Sequence, residues 1–81
     1  MRITEVVPNV VYRVETDERR SFRFFVAENP LPGQGYAAIF EEEMMLRVGR
    51  YWDEMDLDAQ GDTPEACREA AVQRLKQIVA A

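Results

Sequence analysis

Thr63-Pro64-Glu65 fixes the start of a helix, and that boundary constrains what the rest of the chain can be. A threonine hydroxyl can accept from the N–H groups that the first helical turn leaves unpaired. Proline is suited to the next position, where its missing N–H costs nothing. Glu65 then sits near the positive end of the helix dipole, with Arg74 and Lys76 toward the negative end. The Asp62-x-x-Glu65 spacing offers a one-residue alternative for the cap. Cys67, Ala71, Leu75 and Ile78 recur at helical spacing, flanked by Val72 and Val79. A helix with one apolar stripe is unstable alone, so this one must cover another layer.

The first half of the chain supplies that layer. Val10-Val11-Tyr12-Arg13-Val14 alternates, with Val10, Tyr12 and Val14 on one face and Val11, Arg13 and Glu15 on the other. Phe22-Arg23-Phe24-Phe25-Val26 repeats the pattern, aligning Phe22, Phe24 and Val26. The polar run Thr16-Asp17-Glu18-Arg19-Arg20 between them has hairpin length, which favours an antiparallel pair. Residues 3–7 extend the sheet at an edge until Pro8, which cannot donate to a ladder. Two prolines and two glycines within residues 29–35 make that stretch a loop.

Residues 36–57 admit a strand or a helix. Ala, Glu, Met and Leu between residues 37 and 48 suit a helix. Strands are favoured, because Gly35 and Gly49 sit badly in a helix and Tyr36, Phe40, Tyr51 and Trp52 suit a sheet. On that reading residues 46–52 form an alternating strand with Leu46, Val48 and Trp52 on one side. The chain is expected to fold as one α+β domain over residues 1–81. Its architecture would be a small antiparallel β-meander of three to four strands covered by one C-terminal amphipathic helix.

Composition narrows the chemistry. The 81 residues include one cysteine and no histidine, so no disulfide forms within the chain and no His/Cys zinc site can be built. A reducing cytoplasm is the expected compartment. The opening residues meet Glu5 and Pro8 before an apolar signal core could form, and no apolar run approaches the roughly 18 residues of a membrane span. A core this small is marginal, burying about 60% of the unfolded chain's surface. With disulfides and metals excluded, a homodimer is the natural compensation.

No catalytic constellation emerges. Asp56-Leu57-Asp58-Ala59-Gln60-Gly61 begins like a calcium loop, but Pro64 and Cys67 occupy its ninth and twelfth positions. Gly33-Gln34-Gly35 lacks the spacing of a phosphate cradle. Cys67 has no histidine partner and belongs to the helix stripe. No cofactor is expected, and the chain reads as non-enzymatic.

Charge distribution then singles out two rival surfaces. Residues 1–40 are neutral, residues 41–62 carry −6, and residues 63–81 carry +1. Glu41, Glu42, Glu43, Asp53, Glu54 and Asp56 are therefore candidates for binding a protein partner, since an acidic segment repels phosphate backbones and attracts basic proteins. The rival is single-stranded nucleic acid on Arg19, Arg20, Arg23, Arg47, Arg50 and Trp52, where arginines interleave with aromatics. The acidic balance disfavours that rival.

Gly61-Asp62-Thr63-Pro64-Glu65-Ala66, entering a helix, resembles the G-D-T-x-E-E-A segment of HicB-like antitoxin domains. Phe25-Val26-Ala27-Glu28-Asn29-Pro30-Leu31-Pro32-Gly33 is similar to that family's strand leading into a P-D-L-P-G loop. The resemblance covers residues 25–33 and 61–75, with residues 34–60 as an insertion between the two pieces. It implies a sheet-plus-helix domain that neutralises a small basic ribonuclease toxin by protein contact.

Overall fold

The computed structural model describes residues 1–80. The elements run β1 (Arg2–Val7), β2 (Val11–Glu15), β3 (Ser21–Glu28), β4 (Tyr36–Leu46), β5 (Gly49–Met55), β6 (Gln60–Gly61) and α1 (Pro64–Ala80). Strands β1 to β5 form an antiparallel meander in chain order, and β6 pairs with β4. The α+β meander expected from the alternation is therefore present, with more strands than the three to four expected. The edge extension expected over residues 3–7 is the full strand β1, and the extra strand comes from the splitting of residues 36–61 into β4, β5 and β6. Within residues 36–57 the chain forms β4 and β5 and no helix, as its glycines and aromatics favour, with a turn at Arg47 and Val48 and irregular chain at Asp56 and Leu57.

Two local expectations are corrected. Residues 46–52 are not one strand, because Arg47 and Val48 form the turn of the β4–β5 hairpin. Gly49 supplies a φ of 142° there, which side chains other than hydrogen rarely allow. Val48 is consequently 95% exposed rather than aligned with Trp52. Val10 likewise stands outside β2, in a turn where Asn9 is left-handed and the Val10 N–H donates to the Val7 carbonyl. It is exposed, while Tyr12 and Val14 beside it are buried.

One face of the sheet carries the core. The register aligns Tyr12 with Phe24 and Phe40, and Val14 with Phe22. Tyr12 stacks on Phe24 at 5.0 Å between ring centroids, and Phe24 meets Phe40 at 5.9 Å. Against these rings α1 lays Cys67, Ala71, Val72 and Leu75, all buried. Ile78, the fourth member of the stripe, is only partly covered, and Val79 packs at the margin. Burying the large side chains contributes about 1.5–3 kcal/mol each.

The entry into α1 follows the sequence closely. The Ala66 N–H donates to the Thr63 hydroxyl at 3.1 Å, and the Cys67 N–H donates to the Thr63 carbonyl at 3.0 Å. Thr63, not Asp62, is thus the cap. Gly61, two residues earlier, lies so close to the backbone of Ala66 and Cys67 that a Cβ would collide with both. The chain returning along β4 makes a detour before it arrives there. Between the pairs Phe40↔Met55 and Ala37↔Gln60, β4 advances three residues and the returning chain five. Ala59, buried within the detour, accepts from the Ala38 N–H at 2.9 Å.

Two outcomes are expected. Thr63→Ala should lower unfolding free energy by about 1 kcal/mol, read from denaturant titration. Burial also pushes the Cys67 thiol pKa up. The unfolded thiol loses its proton first as pH rises, so the unfolded state binds fewer protons and stability falls. The Cys67 contribution to unfolding free energy should hold steady below about pH 8 and decline as pH passes about 8.5. That decline should be absent in Cys67→Ala from about pH 8.5 up to about pH 10, where tyrosine begins to titrate.

Candidate functional site

The face of the sheet opposite α1 is uncovered. Alternation along the strands assigns it Val11, Arg13, Arg23, Phe25, Ile39, Glu41, Glu43, Trp52 and Glu54, as the cross-strand pairs fix. Val11 and Phe25 are half-buried by their neighbours, whereas Ile39 is 47% exposed. These three are aligned as Val11↔Phe25↔Ile39, an apolar row across the centre of the sheet.

The two rival candidate sets interlock as ion pairs, those of Glu41 and Glu43 beside that row and that of Glu42 on the core side of the sheet. The Arg23 Nε donates to Glu41 Oε1 at 2.5 Å. Arg20 grips Glu42 with two bonds, Nε to Oε2 at 2.9 Å and Nη2 to Oε1 at 3.0 Å. Glu43 receives Arg50 at 3.3 Å and lies 3.9 Å from Arg13. Thus three of the six arginine and tryptophan candidates neutralise three of the six acidic ones. The pairing is held by strand register: Arg23 is opposite Glu41 in the β3–β4 ladder.

Trp52 completes the surface. It pairs with Glu43 in the β4–β5 ladder and faces the Arg23 guanidinium at 4.3 Å and that of Arg13 at 5.9 Å. Stacking of this kind orders both the ring and the cation. Arg20 acts on the other side of the sheet, where its guanidinium lies 4.9 Å from the Phe22 ring. The Arg20–Glu42 pair therefore closes the end of the core.

The remaining candidates are scattered. Asp53, Glu54 and Asp56 are exposed along β5 and just beyond it and make no ion pair among the described residues. Arg19 lies in the β2–β3 turn and Arg47 in the β4–β5 turn, each exposed. The end of β4 at the β4–β5 hairpin also exposes Met45 and Leu46. Sequence reasoning passed over Phe25, Ile39 and Arg13 as site residues. The available signal was the second face of each alternating strand, which placed Val11 and Arg13 together opposite Tyr12.

A groove between β1 and α1 is lined by Ile3, Glu5, Tyr12, Arg68, Val72 and Lys76. Burial pushes the Tyr12 hydroxyl pKa up, Glu5 adds to the rise and Arg68 opposes it. A phenol held protonated is a hydrogen-bonding group, not a nucleophile. Among the described residues no group of His, Cys, Asp and Glu is placed to hold a metal, and no helix is long and apolar enough to cross a membrane. Set against known proteins, the chain matches no family model, no curated protein and no solved structure.

The Arg23–Glu41 pair is only partly shielded from solvent, so its contribution should be modest. A double-mutant cycle with Arg23→Ala and Glu41→Ala should give a coupling of about 1 kcal/mol or less. The coupling should shrink in about 1 M salt, where the screening length falls to roughly 3 Å.

Proposed function

We propose that this chain is a non-enzymatic protein-interaction domain that docks a partner chain on the open face of its sheet. The supporting observation is the apolar row of Val11, Phe25 and Ile39, bordered by Trp52 and the arginine–glutamate pairs, on a face that α1 does not cover. An apolar centre with an aromatic anchor and a charged margin is the anatomy of a protein interface. The acidic candidates keep a role in this reading, but a different one for each group. Glu41, Glu43 and Glu54 belong to the docking face, Glu42 supports the core, and Asp53 and Asp56 set the field at one edge. A single-stranded nucleic-acid ligand is less well supported, because Arg20, Arg23 and Arg50 already hold carboxylates.

The antitoxin reading is the specific form of this function that the HicB-like resemblance suggests. The two stretches that carry the HicB-like resemblance are separated in sequence, yet they lie side by side. The Asn29 N–H donates to the Gly35 carbonyl, and Gly35 in turn packs against Gly61, whose β6 pairs with Tyr36. Asp62 and the unpaired acids of the β5 edge would suit a small basic ribonuclease. Growth rescue by co-expression with a small basic protein encoded in the adjacent reading frame tests that form; failure to rescue removes it.

The interaction reading is tested by capture from native extract on immobilised wild-type protein, Ile39→Asp and the helix-surface control Gln73→Glu. Wild type and Gln73→Glu should retain the same protein in stoichiometric amount, and Ile39→Asp should lose most of it at an unchanged melting temperature. Equal retention by all three, or no retention above bare matrix, overturns the proposal.

A further inference from the structure

The open face has an order that points to its occupant. One row of side chains runs Arg13, Arg23, Glu41, Glu54 across β2, β3, β4 and β5, as the pairs Arg13↔Arg23, Arg23↔Glu41 and Glu41↔Glu54 fix. Two cations are followed by two anions, so the charge reverses sign about the seam between β3 and β4. The apolar row lies two residues further along, with Phe25 on β3 and Ile39 on β4 astride the same seam.

Consider a two-fold axis running parallel to the strands above that seam. It exchanges β3 with β4 and β2 with β5, and it leaves each row at its own level. Arg23 of one copy then meets Glu41 of the other, Arg13 meets Glu54, and Phe25 meets Ile39. Every guanidinium in the row gains a carboxylate from across the interface. A two-fold axis lying across the strands instead sets Arg13 on Arg13 and Glu41 on Glu41, which repel. The pattern is thus self-complementary about one axis only. A two-fold contact of this kind uses the same patch on both copies and closes at two. It is also compatible with aligned stacking of two twisted sheets, which keep their strand directions within about 30°.

We infer that the occupant of the open face is a second copy of this chain, stacked sheet to sheet about an axis parallel to β3 and β4. The inference rests on the reading of this face as the docking surface. It gives the small core a second layer, and it removes Ile39 and Phe25 from water by the same contact that matches the charges.

The test uses light scattering and sedimentation equilibrium over a dilution series. Wild type should dimerise reversibly. Arg13→Glu with Arg23→Glu makes the row entirely acidic, and Glu41→Arg with Glu54→Arg makes it entirely basic. Each double variant alone should self-associate about tenfold or more weakly, and an equimolar mixture should restore a one-to-one dimer. The exchange Arg23→Glu with Glu41→Arg preserves the internal pair and, although the row then alternates in sign, still sets opposite charges on each other across the axis, so it should dimerise like wild type; this variant carries the test should either double variant unfold in circular dichroism. Dimerisation of both double variants alone, or failure of the exchanged variant to dimerise while folded, overturns the inference. A wild type that stays monomeric at millimolar concentration overturns it too, while the docking-surface reading then stands or falls on capture by Ile39→Asp. A dimer unaffected by Ile39→Asp places self-association elsewhere and likewise rejects the stacked arrangement.

Discussion

The contact of α1 with the aromatic face of the sheet is the interaction on which the rest of this structure depends. Phe22, Phe24 and Phe40 are fully buried, and they are buried because Cys67, Ala71 and Leu75 lie over them. Two of those three helix residues are small, which lets the helix backbone come close to the rings. The third fills the space that closeness leaves. With α1 in place the sheet has a defined inside, and the alternation of every strand then assigns its other residues outward. The open face is in this sense a by-product of the core: Arg23 and Phe25 are turned out because Phe22, Phe24 and Val26 are turned in.

Electrostatics in this molecule is organised by the sheet, not by the sequence. In the chain, the acidic run at Glu41 to Glu43 stands about twenty residues from the basic run at Arg19 to Arg23. Folding lays β4 against β3, and the two runs become partners. The result is a surface whose local charges nearly cancel within the pairs, while Asp53, Glu54, Asp56, Asp58 and Asp62 leave the net negative charge concentrated at one edge. Arginine is well suited to the paired positions, since its planar fork can grip a carboxylate with two bonds and also lie over a ring. Arg20 does both, holding Glu42 and covering Phe22.

Much of the fold was legible in the residues, for reasons that also explain what was hidden. A cap and a proline are local chemistry, so the start of α1 could be placed to within one residue. Alternation is likewise local, and it identified Tyr12, Val14, Phe22, Phe24 and Val26 as one face. The boundary between β4 and β5 was less visible, because a strand that reads Leu46 to Trp52 and a hairpin that turns at Arg47 and Val48 alternate alike. Only the left-handed demand on Gly49 separates them. The site was less legible still. Periodicity says which residues share a face of one strand, but not which strand lies beside it or in what register. Glu41 and Arg23 therefore appeared as members of opposing surfaces, when register makes them neighbours.

The detour between β5 and β6 has a consequence for how the chain can vary in length. The returning strand takes five residues where β4 takes three, an excess of two. Side chains alternate with a period of two, so an even excess leaves inward residues inward. Met55 before the detour and Gly61 after it both turn toward α1, and Gly61 must do so, because the first turn of the helix rests on it. An odd change in the length of this segment would reverse that orientation and aim the Thr63 cap at the open face. The helix would then be launched toward the wrong side of the sheet, with its stripe facing arginines and glutamates in place of phenylalanines. Parity at residues 56–59, a property no single side chain carries, decides on which side of the molecule the core is built.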